Sequence, residues 1–217
     1  MKKITVSIIA ALAMNAFAFA GGDIAPVEPE VTVPEVVEST PGAFYVGLGY
    51  SYMNAHSDPF LYEREATIEE GDLTSNSLLL LAGYKYNQYL GLEARYTMNV
   101  DDVEFEYDGY PAIDLEDSDM TNIGIYAKGM YPVTEELDVY ALLGYGQVTI
   151  DTGIEYFGDL SESGFQWGLG ASYDVTENIG VFADYTRLYD DTGFDGYLDP
   201  ETDVVVDSIN VGMTYTF

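Results

Sequence analysis

The sequence predicts an all-β fold: an eight-stranded antiparallel up-and-down β-barrel that crosses a membrane. Eight segments alternate apolar residues with small or polar ones, which is the period of a β-strand with two different faces. Glycine (22 residues) and tyrosine (20 residues) are abundant, and they suit strands, tight turns and aromatic belts. The connections between the segments are alternately short and long, as in transmembrane barrels.

The first twenty residues have the pattern of a signal peptide. Lys2 and Lys3 give a positive start, residues 4–14 are apolar, and Ala-Phe-Ala at 18–20 is a small-x-small cleavage motif. The apolar stretch is short for a transmembrane helix, and no later segment is apolar for long enough to form one. Residues 1–20 are therefore predicted to be removed on export.

Residues 21–42 are rich in proline and glutamate and are predicted to form a linker in the periplasm. Four prolines disfavour helix, and five carboxylates repel one another, so an extended tether is expected. The predicted barrel then occupies residues 43–217.

Within the barrel, each strand separates its residues onto two faces. Around residue 167, for example, Phe165, Trp167 and Leu169 alternate with glutamine and glycine. In a bilayer the apolar face meets lipid and the other face fills a narrow interior, whereas a soluble lipocalin-like barrel would turn its apolar faces inward. The predicted strands span about 43–53, 75–86, 90–99, 120–131, 137–149, 163–174, 179–188 and 204–217.

The connections define the two ends of the barrel. Three are short turns, near 87–89, 132–136 and 176–178. The other four lie near 54–74, 100–119, 150–162 and 189–203. They hold 25 of the 38 carboxylates, and against these stand only Arg64, in the first loop, and Arg187, just before the last. Long loops of transmembrane barrels are extracellular, so the sequence predicts an acidic outer surface.

These acidic loops are candidates for loosely bound Ca²⁺ or Mg²⁺, because hard divalent cations take oxygen ligands. The metal-ligand candidates in the densest run are Asp114, Glu116, Asp117 and Asp119. Their spacing does not match a dedicated calcium loop. Adhesion to a basic partner and plain surface charge are the other interpretations.

Composition excludes several classes of function. A net charge of −31 is incompatible with a nucleic-acid binder held by phosphate contacts. The absence of cysteine excludes disulfides, thiolate metal sites and cysteine nucleophiles. The single histidine, His56, stands beside Ser57 and Asp58 in a predicted loop, and no GxSxG nucleophile elbow occurs, so no catalytic residues are predicted.

The signal peptide, the eight strands and the final strand, SINVGMTYTF at 208–217, resemble the small outer-membrane β-barrel family, which includes opacity-protein-like barrels and the barrel of the major outer-membrane protein A. The resemblance covers about 43–217. It implies residence in the bacterial outer membrane, contact with its lipid and lipopolysaccharide, and insertion by the barrel-assembly machinery. The residues that match the family's assembly signal are Phe217, Tyr215, Met213 and Val211.

The predicted interior contains charges. Alternate residues of a strand share a face, and by this rule Lys85, Arg95 and Lys128 point into the barrel. The acidic residues that point inward include Glu93 and Asp184. Buried charges are costly unless they are paired. Counting residues from each short turn places four of these charged residues at similar heights in the barrel: Glu93, Arg95, Lys128 and Asp184. The sequence therefore predicts that these four form a buried network, with Tyr126 or Tyr140 as a further partner.

Together these features predict a non-enzymatic outer-membrane barrel with a structural and surface-interaction role. A narrow pore for small or apolar solutes, a lipid-modifying enzyme and a soluble ligand carrier are the alternatives. The pore requires an unfilled interior, the enzyme a clustered histidine site, and the carrier an apolar cavity.

Overall fold

A computed structural model describes residues 42–58, 61–63, 66–68, 71–107, 113–115, 117–151, 159–192 and 203–217. The predicted signal peptide at 1–20 lies outside these residues, as does the predicted linker at 21–42 except for Gly42. The described residues contain no helix that is long and apolar enough to cross a membrane.

The described secondary structure consists of strands joined by turns. Eight strands are long, and four short ones lie in two of the long connections. The strands are β1 (Ala43–Asp58), β2 (Leu61–Glu63), β3 (Ala66–Ile68), β4 (Gly71–Lys85), β5 (Leu90–Asn99), β6 (Val103–Tyr107), β7 (Ile113–Leu115), β8 (Asp119–Pro132), β9 (Leu137–Asp151), β10 (Asp159–Asp174), β11 (Ile179–Thr192) and β12 (Asp203–Thr216).

The eight long strands form a closed antiparallel barrel, which confirms the predicted fold class. They follow one another around the barrel as β1, β4, β5, β8, β9, β10, β11 and β12. Closure occurs at β1, which pairs with β4 on one side, from Ala43–Lys85 to Ser57–Gly71, and with β12 on the other, from Tyr45–Thr216 to Asp58–Asp203. The short strands β2 and β3 pair with each other, and β6 extends the sheet between β4 and β7.

The three short turns share one capping chemistry. The side chain of the second turn residue, which is Asn87, Thr134 or Thr176, accepts two backbone N–H groups. One belongs to the last residue of the turn and the other to the first residue of the next strand. The distances lie between 2.8 Å, for Tyr89 N to Asn87 Oδ1, and 3.3 Å, for Asn178 N to Thr176 Oγ1. Asparagine and threonine at these positions therefore stabilise the short-turn end of the barrel.

The outer face of the barrel is apolar along the part of every long strand that lies toward the short turns, here called the lower part. On β5 the side chains alternate between exposed and buried from Leu90 to Thr97. Leu48 on β1 and Leu143 on β9 are more than half exposed. Apolar side chains that point outward indicate a barrel solvated by lipid, and they are opposite to the arrangement of a soluble lipocalin-like barrel.

The strands are longer than the sequence predicts at the long-loop end. β1 continues to Asp58 instead of residue 53, β4 begins at Gly71 instead of 75, and β11 continues to Thr192 instead of 188. His56, which the sequence places in a loop, lies on β1, and its Nδ1 is 2.7 Å from Asp72 Oδ1 on β4. The sequence pattern does not indicate these extra residues, because the polarity of the two strand faces changes there.

Candidate functional site

The interior of the barrel holds a group of buried charged side chains at mid-height. Glu93 and Arg95 come from β5, Lys128 from β8 and Asp184 from β11. All four point inward and are no more than 6% exposed. The structure brings the four residues of the predicted network together.

Arg95 joins opposite walls of the barrel. Its Nε lies 2.6 Å from Glu93 Oε1 on its own strand. Its two terminal nitrogens donate to Asp184 Oδ1 at 2.9 Å and to Asp184 Oδ2 at 2.7 Å. A bidentate guanidinium–carboxylate pair fixes both direction and distance, so β5 and β11 are braced across the lumen.

The remaining hydrogen-bonding capacity of the two carboxylates is used by neighbouring side chains. Glu93 Oε2 accepts from Lys128 Nζ at 2.9 Å and from the Tyr45 hydroxyl at 2.6 Å. Asp184 accepts from the Tyr140 hydroxyl at 2.7 Å and from Asn210 Nδ2 at 2.8 Å. Two carboxylates thus face two cations, and the formal charges of the group cancel.

Each of the two cations also lies between aromatic rings. Lys128 Nζ is 4.0 Å from the centroid of Tyr140 and 5.4 Å from that of Tyr45. The Arg95 guanidinium carbon is 5.8 Å from the Tyr126 centroid and 5.9 Å from the Phe182 centroid. These contacts are within the range of cation–π attraction. They also fill the space around the charges with rings.

A second polar group, which the sequence pattern does not single out, lies toward the long-loop end. The Tyr126 hydroxyl donates to Gln166 Oε1, and Gln166 Nε2 donates to Asn122 Oδ1 at 2.8 Å. Gly146 provides the room for the glutamine, since a Cβ there would lie 2.4 Å from Gln166 Oε1. In the sequence, this group is indicated by Gly124 and Gly146, which point inward on β8 and β9 and leave room for the inward-pointing Gln166 on β10.

Lys85 lies apart from the mid-height group. It is the last residue of β4, half-buried at the short-turn end, and it pairs in register with Ala43 and Gly91. Lys85 therefore lies at the rim of the barrel, outside the charged group.

Above the polar groups the lumen is closed by an apolar cluster, here called the plug. Met53, Met120, Val148 and Val206 have no exposed surface. They come from four different strands, so the cluster occupies the centre of the barrel at its long-loop end. The members of the plug are Met53, Ala55, Val103, Met120, Val148, Ile150, Leu188, Tyr189, Val204 and Val206, with Leu73 and Leu160 packed against them.

The outer face changes polarity at the same level at which the plug begins. On β9 the inward residues change from Gly146 to Val148, while the outward residues change from Tyr145 to Gln147. On β12 the outward residues change from Ile209 to Asp207. Toward the short turns the strands therefore have an apolar outer face around an interior that mixes charged, polar and apolar side chains. At the long-loop end a polar outer face surrounds an apolar interior, as in a soluble protein that stands clear of lipid.

The four matched assembly-signal residues lie on the lipid-facing side. Phe217, Tyr215, Met213 and Val211 are all exposed, Phe217 at 73%. The Phe217 N–H donates to the Phe44 carbonyl at 3.0 Å, so the last residue takes part in barrel closure. Its ring packs against Tyr215 with a centroid distance of 5.2 Å.

The metal-ligand candidates are only partly within the described residues. Asp114 lies in β7, Asp117 and Asp119 are exposed, and Glu116 lies outside the described residues. Asp117 has a φ of 61°, a turn conformation that aspartate tolerates. Among the residues that the structure describes, no three His, Cys, Asp or Glu side chains are grouped so as to hold a metal ion.

A closed eight-stranded barrel with a lipid-facing apolar belt defines a membrane-spanning barrel protein. The sequence model of the protein family "Outer membrane protein beta-barrel domain" matches residues 6–217. The chain therefore belongs to this family of bacterial outer-membrane proteins. No curated protein matches the sequence.

Solved structures show the same fold at low sequence identity. The outer membrane protein OprG of Pseudomonas aeruginosa is 16% identical, with a TM-score of 0.54, and the match covers 82% of this chain and 97% of that one. The outer membrane protein AlkL, solved in lipid bilayers, is 14% identical, with a TM-score of 0.56, over 91% of this chain and 97% of that one. Neisserial surface protein A is 18% identical, with a TM-score of 0.50, over 82% and 100%.

Proposed function

We propose that this protein is a closed, non-enzymatic barrel that anchors an acidic surface on the outside of the bacterial outer membrane. The observation that carries the proposal is the filling of the lumen at two levels. The charged group built on Arg95 crosses the barrel at mid-height, and the plug closes it at the long-loop end. An interior that is braced and packed in this way supports a structural role and leaves the long-loop end as the surface that meets partners.

The acidic character of that surface supports partners that carry positive charge. The long connections hold most of the chain's carboxylates, and long loops of such barrels lie on the extracellular side. Loosely bound divalent cations, which could link these carboxylates to lipopolysaccharide phosphates, are the first partners to test.

We expect the purified protein to form no stable large channel in planar lipid bilayers. Eight strands enclose an interior just wide enough for side chains to fill, and here two layers of side chains fill it. A general porin added to the same bilayers serves as the positive control. A reproducible water-filled conductance of general-porin size from this protein would overturn the proposal.

Deleting Phe217 is expected to lower the amount of barrel assembled in the outer membrane, and to leave precursor or aggregate in the periplasm. The reason is that the proposed assembly signal ends on this exposed, lipid-facing ring. Immunoblots of membrane and periplasmic fractions measure the distribution when assembly capacity is limiting.

The control for this deletion is Phe165→Ala, which removes an equally lipid-facing ring, 62% exposed, from the middle of the chain. It should leave assembly near the wild-type level. Equal surface levels of the wild type and the Phe217 deletion would contradict the assignment.

A further inference from the structure

A band of uncharged polar side chains surrounds part of the barrel directly above the apolar belt. We call this band the collar. Its members all point outward and carry amide or hydroxyl groups: they are Asn54, Asn76, Thr121, Gln147, Thr149 and Ser163. Within the protein, Asn76 Oδ1 accepts from the Tyr50 hydroxyl at 2.6 Å, Thr149 Oγ1 lies 2.9 Å from Ser161 Oγ, and Asn54 Oδ1 is buried. Each of these three side chains keeps a further donor or acceptor, since an amide has an NH₂ group and a hydroxyl has two lone pairs.

The collar lies where lipid headgroups meet the protein. Gln147 follows Tyr145 on the outer face of β9, and Ser163 and Phe165 are neighbours on the outer face of β10. Aromatic rings mark the membrane interface. One outward position further along a strand is about 6–7 Å away, so the collar is level with the headgroup layer.

The collar is continuous across neighbouring strands. Thr121 pairs in register with Thr149, and Gln147 pairs with Ser163, which joins β8, β9 and β10. The plug packs against the inner face of the same strand segments, with Met120 and Val148 fully buried. The collar groups are therefore held on regular strands and not on loops, which reduces the entropy lost on binding.

The chemistry of the collar suits hydroxyl groups more than phosphate. Amides and hydroxyls both donate and accept hydrogen bonds, as sugar hydroxyls do, whereas proteins bind phosphate chiefly with arginine and lysine. Among the described residues, Arg187 is the only arginine or lysine on the outer face at this end. Asp207 lies 2.6 Å from its Nε, and Asp190 lies 2.9 Å from its Nη1. Its charge is thus already compensated within the protein.

We propose that the collar binds the sugar headgroups of the glycolipid in the outer leaflet of the outer membrane. This inference rests on the proposed function, because it places the long-loop end outside the cell. It names the surface and the chemistry of the contact: hydrogen bonds from uncharged side chains to sugar hydroxyls, without a bridging metal ion.

The test compares the stability of the full chain in two kinds of vesicle. The protein is folded into phosphatidylcholine vesicles with and without lipopolysaccharide, in Mg²⁺ or in EDTA, and the unfolding midpoint is followed by heat-modifiable gel migration. Lipopolysaccharide should raise the midpoint of the wild type in both Mg²⁺ and EDTA. The double variant Thr121→Val with Thr149→Val keeps the side-chain shape and loses two hydroxyls, and it should lose about half or more of that rise.

The matched control is Ala127→Val, which adds the same side chain on β8 within the apolar belt; it should keep the full rise. The proposal would be overturned if the double variant kept the whole rise of the unfolding midpoint. It would also be overturned if the rise of the wild type vanished in EDTA, because the stabilisation would then depend on cation bridges to phosphate. Channel formation in planar bilayers together with an intact rise would instead contradict the closed-barrel function alone.

Discussion

Replacing Arg95 by alanine is expected to lower the free energy of unfolding by about 3–5 kcal/mol, the usual cost of removing one member of a buried ion pair. Arg95 is 4% exposed and is bonded to both Glu93 and Asp184. Its loss leaves a carboxylate on β11 without its main counter-charge and removes the link between opposite walls. Urea unfolding from lipid vesicles, followed by tryptophan fluorescence, measures the change.

Lys85→Ala is the matched control, because Lys85 is also a basic residue with inward parity but is only half-buried at the end of β4. It should cost much less than Arg95→Ala. Arg95→Lys should fall between the two, since lysine keeps the charge but cannot form the bidentate pair with Asp184. Equal, small losses for Arg95→Ala and Lys85→Ala would show that the network does not stabilise the barrel.

Val148→Asp is expected to destabilise the barrel by several kcal/mol, about 3 or more, because it places an unpaired charge in an apolar environment. Val148 is fully buried in the plug. The same urea unfolding assay applies, and the yield of folded, heat-modifiable protein should also fall.

Gln147→Asp is the control for this change, since Gln147 is the preceding residue on β9 and points to the outside, where it is exposed. In vesicles without lipopolysaccharide it should change stability by less than about 0.5 kcal/mol, as is usual for surface substitutions. Similar effects of the two aspartates would contradict the change of face polarity at this level of the barrel.

The fold is predictable from the sequence because a membrane barrel must repeat one rule on every strand. Lipid requires an apolar outward face, closure pairs every long strand on both sides, and side chains alternate with a period of two. Parity alone therefore indicates which side chains point inward. The structure places Glu93, Arg95, Lys128 and Asp184 inside and in contact.

The long-loop end is less predictable, because there the period of two continues while the roles of the two faces are exchanged. After Tyr52 on β1 the outward residue is Asn54, and the inward residue is Met53. A pattern that looks for apolar residues on the lipid-facing side stops at this point, although the strand continues. The plug and the collar both lie beyond that point.

Hydrogen-bond partners inside the lumen depend on distances across the barrel, which strand parity does not contain. Tyr126 and Tyr140 are equivalent by parity, yet the Tyr140 hydroxyl bonds Asp184 and the Tyr126 hydroxyl bonds Gln166. The choice follows from the glycines at 124 and 146, which leave room for the Tyr126 hydroxyl and the glutamine side chain.

The central claim, that the lumen is closed, can be tested most directly with a single cysteine, because the chain has none of its own. Ser51 lies on the inner face of β1 and has no exposed surface, so Ser51→Cys places a thiol of similar size inside the barrel. Gln88→Cys provides an exposed thiol in the short turn between β4 and β5, away from the collar. A water-soluble maleimide is applied to the protein in open membrane fragments, where both faces are accessible. The cysteine at position 51 should react only after denaturation, while the cysteine at position 88 reacts at once. Labelling of position 51 in the folded barrel at the rate of position 88 would contradict a closed lumen.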